Sequence, residues 1–277
     1  MKIAVLSDVH GNVPALAAVL DDIGTWRPDA VIVNGDLVSR GPYSLRCLQM
    51  IRLGFPAAYL LSGNHETFVI GCVDDPPDPE SPTYALSTFA TWTASQLGDE
   101  VEGLRGWRGH LDLTGLDGGA SVHVTHGSRL GNRDGIRPET SDAELVAKLG
   151  DPCDLFVGSH THRPLLRRFQ GNWVVNTGSV GQPLDGDPRA AYGRCTYARG
   201  EWSAEIVRVA FDRAQASRDF VESGFLDACG PIARVIFREL RDARMHVGPM
   251  MWRYLTPIKA GEISVADAVE RYLERHE

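Results

Sequence analysis

The sequence predicts an α/β fold whose N-terminal half is built on a mostly parallel sheet. Short apolar runs, each long enough for one buried strand, alternate with segments whose apolar residues recur at helical spacing. Residues 2–7, 29–34 and 57–62 are predicted strands, and helices are predicted between them. This alternation is typical of parallel sheets, because two parallel strands need a crossover connection.

The first predicted helix covers residues 14–23, with Asn12 as its N-cap and Pro14 in its first turn. The second covers residues 44 to about 53, and a third covers residues 84 to about 97. Further strands are predicted downstream, separated by turn-rich segments. They cover residues 121–126, 154–160, 173–179 and 201–209.

The pattern becomes almost entirely helical beyond Asp212. We therefore divide the chain into a domain of residues 1–211 and a C-terminal helical extension of residues 212–277. The simplest expectation is that the extension packs against the domain. A homodimer interface and a cap over the site are the alternatives. Residues 74–82, rich in proline and acids, are predicted to form a solvated surface loop, with a lid near the site as the alternative.

Composition excludes several classes of protein. The chain has 277 residues, 43% of them apolar and 23% charged, which is ordinary for a globular protein. It has no run of 18 apolar residues, so we expect no membrane span. The N-terminal apolar run is too short for a signal peptide. Five scattered cysteines without a CxxC pair indicate free thiols in the cytoplasm. A net charge of -8 argues against a stable nucleic-acid partner.

Polar side chains follow five of the predicted strands, at the point where each strand ends. The clusters are Asp8-Val9-His10, Gly35-Asp36, Gly63-Asn64-His65-Glu66, His126-Gly127 and Gly158-Ser159-His160-Thr161-His162. The carboxyl ends of strands in an open α/β sheet converge on one crevice. Two carboxylates, four imidazoles and one amide oxygen could therefore meet there.

This set of side chains suits divalent metal ions. Mixed oxygen and nitrogen ligands without thiolates favour Mn, Fe, Zn or Ni over Ca or Mg. Seven ligands are too many for one tetrahedral ion, but they suit two ions roughly 3.5–4 Å apart that share a carboxylate. Two aspartates and two divalent ions leave a charge of about +2, which would attract a phosphate ester. His110, His123, His246 and His276 are given no role.

These motifs resemble the calcineurin-like metallophosphoesterase superfamily, whose pattern is D-x-H, G-D, G-N-H-[ED], a later His and G-H-x-H. The last motif departs from it by Ser159, inserted between Gly158 and His160, while the spacing of the two histidines is kept. The resemblance covers roughly residues 1–210. Residues 176–192 and 91–97 are similar to the bacterial and archaeal YfcE-like phosphodiesterase branch.

The resemblance implies a four-layer α-β-β-α sandwich with two mixed sheets and a site with two divalent ions, Mn²⁺ first among them. Three residues would hold the first ion: Asp8, His10 and His162. Three would hold the second: Asn64, His126 and His160. Asp36 would bridge the two ions. His65 would bind no metal and would act on the leaving oxygen as general acid or donate to phosphate, oriented by Glu66 or another carboxylate. A hydroxide shared by the ions would attack phosphorus.

Arg40 is the residue that bears on the substrate. The stretch GDLVSRGP is similar to GDLVARGP of symmetrical diadenosine tetraphosphate hydrolases and to GDxxDRG of protein Ser/Thr phosphatases. A guanidinium fork suits bidentate phosphate binding. The alternative is that Arg40 lies on the surface in a salt bridge. Ser39 departs from the acid of the protein phosphatases. Arg163, Arg167 and Arg168 are expected to be solvated strand charges, with a rim for polyphosphate as the alternative.

The sequence thus predicts a phosphodiesterase or phosphatase that acts on a small, nucleotide-like phosphorylated substrate. A diadenosine tetraphosphate hydrolase or a protein Ser/Thr phosphatase is the alternative. A non-catalytic scaffold ranks last, because scaffolds of this fold tend to lose metal ligands or the histidine of GNHE, and this chain keeps all of them.

Overall fold

The computed structural model describes residues 1–115 and 120–276. The elements of the N-terminal half are β1 (Lys2–Leu6), α1 (Val13–Trp26), β2 (Ala30–Asn34), α2 (Ser44–Gly54), β3 (Tyr59–Leu61), α3 (Asn64–Asp74), a 3-10 turn (Tyr84–Leu86), α4 (Thr88–Leu97), α5 (Glu100–Arg105), β4 (His110–Leu113) and β5 (Val122–Thr125). They are followed by α6 (Asp142–Leu149), β6 (Leu155–Gly158), β7 (Leu165–Phe169), β8 (Asn172–Asn176), β9 (Ala190–Ala198) and β10 (Glu201–Val209). The C-terminal helices are α7 (Arg213–Glu222), α8 (Phe225–Cys229), α9 (Pro231–Asp242), α10 (Val247–Lys259) and α11 (Val265–Glu274).

The strands form two mixed sheets of five strands each. The first has the order β10-β9-β1-β2-β3, with β1, β2 and β3 parallel and β9 antiparallel to both neighbours. The second has the order β4-β5-β6-β8-β7, with antiparallel strands only at its two edges. The predicted pair of mixed sheets is therefore confirmed.

Alternating side chains of the central strands separate the layers. Ile3 of β1 and Val157 of β6 meet in the core between the two sheets. Ala4, on the opposite face of β1, packs against the helices of the N-terminal half and of the extension. Phe156, on the opposite face of β6, packs with Leu145 of α6. Because successive strand residues point to opposite faces, these contacts give the layer order helix, sheet, sheet, helix.

Several local predictions can be compared directly with the structure. Asn12 caps α1 as expected, since its Oδ1 accepts a hydrogen bond from Ala15 N at 3.1 Å. The predicted helix over residues 84–97 is interrupted at Ser87, where the 3-10 turn passes into α4. Asp74 is the last residue of α3, and residues 75–82 are irregular and mostly exposed, in agreement with a surface loop.

The helical extension packs on the first sheet's helical face and joins the same hydrophobic core. Phe225 of α8 lies edge-on to Trp92 of α4, with ring centroids 6.0 Å apart. Thr88 Oγ1 donates a hydrogen bond to Cys229 O at 2.6 Å. The simplest expectation for the extension is thus met, while dimerisation and the domain boundary at residue 211 stay predictions. No helix in the described part of the chain is long and apolar enough to cross a bilayer.

Candidate active site

The seven predicted metal ligands lie on segments that directly follow strands. Four follow strands of the first sheet: Asp8, His10, Asp36 and Asn64. Three follow strands of the second sheet: His126, His160 and His162. The strands concerned are the parallel ones, so their carboxyl ends bring both sets of loops to one edge of the sandwich.

Five of these residues adopt left-handed backbone conformations, with φ between 51° and 65°. They are Asp8, His10, Asp36, His160 and His162. Such angles are uncommon outside glycine, cost about 1–3 kcal/mol each, and cluster at functional sites. Hydrogen bonds between neighbouring loops hold them in place. Asp8 N donates to Gly35 O, and His10 N donates to Asp36 O, both at 3.1 Å.

Asp8, His10 and His162 form one compact group of donor atoms. Asp8 Oδ1 lies 3.0 Å from His162 Nε2 and 3.9 Å from His10 Nε2. The two Nε2 atoms of His10 and His162 lie 3.3 Å apart. Three donor atoms at such distances can reach one cation placed between them.

Asp36 connects this group to a second one. Its Oδ2 lies 3.8 Å from His10 Nε2 and 3.3 Å from His126 Nε2. Asn64 Oδ1 lies 3.1 Å from His126 Nε2. His160 has a ring nitrogen within 4.8 Å of the donor atoms of Asp36 and His126. One carboxylate therefore stands between two groups of possible ligands.

Two backbone carbonyls set which imidazole nitrogen faces the crevice. His162 Nδ1 lies 2.6 Å from Gln182 O, and His126 Nδ1 lies 2.9 Å from Asn34 O. A carbonyl can only accept, so each Nδ1 carries the proton and points away from the donor groups. In a neutral ring the Nε2 lone pair is then free for a metal, the arrangement typical of metal-binding histidines.

The charges in the crevice fit a bound cation. Asp8 and Asp36 are both almost fully buried. Within the described residues, no Lys or Arg nitrogen lies within 4.0 Å of either carboxylate. Buried carboxylates need a compensating charge, and here only imidazoles are close.

The imidazoles divide between two protonation states. Burial would lower the pKa of His126, but Asp36 and Asp8 raise it to about 10. Burial lowers the pKa of His10 well below its usual range, and His65 lowers it further. Burial and His126 lower the pKa of His160 to about 4. Without metal, one proton on His126 thus compensates the aspartates, and a cation would displace it.

Glu66 anchors the loop that carries Asp36. Its Oε2 accepts hydrogen bonds from Asp36 N and Gly63 N, both at 2.8 Å, and its Oε1 accepts one from Val38 N at 3.3 Å. Burial and Asp36 raise the pKa of Glu66 to about 7, while the backbone N–H groups lower it. Gly63 has no alternative here, because a Cβ would lie 2.2 Å from Asp36 Oδ1.

His65 lies beside the donor groups, with a hydroxyl as its partner. Its ring Nδ1 is 3.3 Å from Ser39 Oγ, and its backbone N–H donates to Asp36 Oδ1 at 2.8 Å. Of the two predicted alternatives for the group that orients His65, Glu66 is wrong, because its oxygens accept from backbone groups. Another carboxylate, Asp36, binds the His65 backbone, and the ring itself contacts the Ser39 hydroxyl. Burial lowers the pKa of His65 to about 3; Asp36 raises it and Arg40 lowers it. The ring is uncharged at neutral pH and can donate one N–H.

Arg40 lies close enough to the site for its charge to lower the pKa of both His10 and His65. Its Nη2 forms an ion pair with Glu239 of α9, and its side chain is only 13% exposed. Arg40 therefore forms a salt bridge, as the alternative prediction expects, but it does not lie on the surface: the pair is largely buried and adjoins the crevice.

The remaining candidates make contacts of their own. Arg163 and Arg167 pair with acids of the segment 139–142, and Arg168 stacks 4.1 Å from the Trp173 ring centroid. These contacts agree with solvated strand charges. His110 and His123 share Asp112, away from the ligand groups. Ser159, the insertion in the last motif, is buried and receives a hydrogen bond from Asn34 Nδ2 at 2.8 Å.

Comparison with known proteins identifies the family. A model described as Calcineurin-like phosphoesterase matches residues 1–179, well over half of the chain. The chain belongs to the calcineurin-like phosphoesterase family. The predicted family is confirmed, and with it phosphoester hydrolysis as the activity of this enzyme. The finer resemblance to the YfcE-like branch stays a prediction.

The relatives of this phosphoesterase are distant. An uncharacterized protein of Methanocaldococcus jannaschii is 28% identical over 252 residues, which is 80% of this chain and 92% of that protein. A symmetrical bis(5'-nucleosyl)-tetraphosphatase of Hamiltonella defensa is 28% identical over 162 residues, 57% of this chain and 56% of that protein. This chain therefore matches only about half the length of that hydrolase.

A crystal structure of a metallophosphoesterase from Sphaerobacter thermophilus superimposes with a TM-score of 0.68 at 26% identity. The superposition covers 88% of this chain and all of the other. The sandwich and most of the chain thus have a close structural counterpart among phosphoesterases.

The sequence predicts no role for two side chains next to the candidate site. Ser39 stands out only as a departure from the protein phosphatase pattern, and Glu239 is not predicted to lie near the site. Glu239 had a signal, because it is the charged residue on the apolar stripe of α9, next to Leu240 and three residues after Ile236. Ser39 had no comparable signal, since a serine in a loop has many uses.

Proposed function

We propose that this phosphoesterase hydrolyses small, nucleotide-like phosphoesters with two divalent metal ions. The observation that supports two ions is the position of Asp36 between two groups of donor atoms. One ion would be held by Asp8, His10 and His162. The other would be held by Asn64, His126 and His160. Asp36 would contact both.

When bound, two divalent ions would activate water and neutralise charge on phosphoryl oxygens. The chain's own residues do the rest. Gln182 O and Asn34 O keep the ligand imidazoles oriented. With the Ser39 hydroxyl donating to its Nδ1, the neutral ring of His65 would carry its proton on Nε2 and donate that N–H to a phosphoryl or leaving oxygen. Arg40 offers its guanidinium to the phosphate.

Mn²⁺ is our first candidate for both ions, with Fe, Zn and Ni as alternatives. The ligand set of imidazoles, carboxylates and one amide oxygen suits this group of metals. The native metal is identified by elemental analysis of protein purified without added metal. Reconstitution of chelator-treated protein with each metal, followed by an activity assay, ranks them.

A dinucleoside polyphosphate hydrolase is the second candidate. It is supported by the GDLVSRGP loop, which places Arg40 beside the site, and by the partial match to symmetrical bis(5'-nucleosyl)-tetraphosphatases. Protein Ser/Thr phosphatase activity has less support, because Ser39 stands where that pattern has an acid.

A substrate panel with Mn²⁺-loaded enzyme tests these alternatives. It contains a chromogenic monoester, a chromogenic diester, diadenosine tetraphosphate and a phosphopeptide. We expect turnover of at least one ester and none by the Asp36→Asn variant. Preference for diadenosine tetraphosphate would favour the second candidate. Metal-loaded protein that turns over none of the four would contradict the proposal.

The setting of the enzyme is also proposed. The five cysteines carry free thiols in the structure, which supports a cytoplasmic location. We expect a small phosphorylated substrate as its partner, and no nucleic acid or membrane. Sedimentation analysis tests the homodimer alternative for the extension.

A further inference from the structure

Glu239 is a buried carboxylate in the C-terminal extension. It belongs to α9 and shares that helix's apolar face with Ile236 and Leu240, so only 1% of it is exposed. Glutamate is almost never buried to this extent unless it is paired. Its position on an otherwise apolar stripe therefore indicates a specific task.

Both oxygens of Glu239 are used. Oε1 accepts hydrogen bonds from His246 N and Val247 N, each at 2.7 Å, where α10 begins. Oε2 accepts from Arg40 Nη2. The backbone contacts lie within the extension, so they fix the carboxylate independently of Arg40. The guanidinium is thus held by a group that cannot easily move.

Arg40 contacts Glu239 from the loop that follows β2. Ser39 and Arg40 both have left-handed backbones, with φ of 72° and 62°. Ser39 N donates to Ser44 Oγ at 2.9 Å, which ties this strained loop to the start of α2. Such strain persists only where the surroundings over-determine the conformation.

The guanidinium still has donors to offer. Arg40 Nε is buried and has no hydrogen-bond partner among the described residues. A guanidinium carries five N–H donors in a rigid fork, so one edge can be anchored while another binds an anion. Ser39, the chain neighbour of Arg40, has its Oγ 3.3 Å from His65 Nδ1, so we expect the anion on the side of His65 and the ligand groups.

We propose that Glu239 is a positioning residue of the active site, which orients Arg40 so that its free edge binds the phosphoryl group of the substrate. This proposal rests on the proposed function, in particular on phosphate binding by Arg40. It makes the C-terminal extension a part of the substrate site rather than only a packed appendage.

The variant Glu239→Gln tests this with little disturbance of the fold. Its amide oxygen can still accept from His246 N and Val247 N, but its NH₂ group then faces Arg40 Nη2 and cannot accept from it. The matched control is Glu100→Gln, which weakens the exposed Arg52–Glu100 pair, neither of whose residues is a site residue. Inorganic phosphate is the probe, and its binding to the Mn²⁺-loaded protein is measured by calorimetry.

We expect Glu239→Gln to weaken phosphate binding and to raise KM for a chromogenic ester by about tenfold or more, the usual effect of removing an orienting partner. We expect kcat to change by less than KM, and metal content to stay at the wild-type value. Arg40→Ala should weaken phosphate binding at least as much. The double variant should bind phosphate no more weakly than Arg40→Ala alone, because both substitutions remove the same interaction, that of the Arg40 guanidinium with phosphate. The Glu100→Gln control should bind phosphate as the wild type does.

Two other results distinguish failure of the Glu239 proposal from failure of the phosphate role of Arg40. If Glu239→Gln binds phosphate as tightly as the wild type, or more tightly, while Arg40→Ala binds weakly, Glu239 does not position Arg40 and the proposed function stands. If neither change affects phosphate binding, Arg40 has no phosphate role and this proposal is wrong, whatever the substrate panel shows.

A second variant, Arg40→Lys, tests the proposal independently in case Glu239→Gln does not fold. Arg40→Lys keeps the positive charge but loses the fork, so it cannot hold Glu239 and an anion on two edges. We expect it to lose phosphate affinity nearly as Arg40→Ala does. Wild-type affinity in Arg40→Lys would mean that charge alone matters and would overturn the proposal.

Discussion

Replacement of Glu66 by alanine tests how the site loop is held. Glu66→Ala leaves three backbone N–H groups without their acceptor, two of which make bonds of 2.8 Å. A buried donor without a partner costs about 1–3 kcal/mol. With the weak third bond and some entry of water, we expect a loss of about 3–4 kcal/mol. For a domain of this size that lowers Tm by about 6–16 °C.

The same change should weaken metal binding, because Asp36 loses the group that fixes its backbone. Loss of such an outer partner typically costs 10–100-fold in metal affinity or activity. Thermal unfolding of the metal-free protein and calorimetric titration with Mn²⁺ measure the two effects separately.

Glu66→Gln is the matched variant, since both 2.8 Å bonds end on the same oxygen, Oε2. An amide oxygen can keep both, and only the 3.3 Å contact with Val38 N is lost. We therefore expect a loss of only about 1–2 kcal/mol. A change of Glu102, an exposed residue paired with Arg105, should have almost no effect. If Glu66→Ala melts within about 2 °C of the wild type, or if the glutamine variant is as unstable as the alanine variant, the Glu66 hydrogen bonds do not hold this loop.

The remaining predictions concern the proposed chemistry. Asp36→Asn should reduce metal content below two ions per chain, by elemental analysis, whereas an unchanged content would argue against a bridging role. His65→Asn should keep the metals and lower kcat by about 10²–10³-fold, the usual effect of losing a donor to the transition state; loss of metal instead would make His65 a ligand, for which its distance to His10 and Asp36 leaves room. Mn²⁺ binding at pH 7.5 should release about one proton, because His126 is protonated without metal. Calorimetry in buffers of different ionisation enthalpy measures this, and a buffer-independent enthalpy would contradict it.

The positions of the seven candidate ligands could be predicted from the sequence because of the strands before them. Each motif follows an apolar run, and carboxyl ends of parallel strands must meet at one edge. Strand order brings together the ligands that follow each sheet, and the packing of the two sheets then brings Asp8 within 3.0 Å of His162 across more than 150 residues of chain. The left-handed backbone at Asp36 could not be predicted, because it depends on contacts from Glu66 and Gly63.

Strand β9 was missed because its sequence, AAYGRCTYA, has neither strict alternation nor a continuous apolar run. It is specified by its neighbours, since it lies between β1 and β10 and pairs with both. Helix α3 was missed because its first residues are also the GNHE motif, which we interpreted as a loop. The Arg40–Glu239 pair joins residues 199 apart in sequence, so only the tertiary structure reveals it.

Asp36 is proposed to lie between two metal ions. Anomalous diffraction from crystals soaked in Mn²⁺ locates such ions. We expect two peaks about 3.5–4 Å apart, with a carboxylate oxygen of Asp36 in contact with each. A single peak, or two peaks of which one does not contact Asp36, would contradict it.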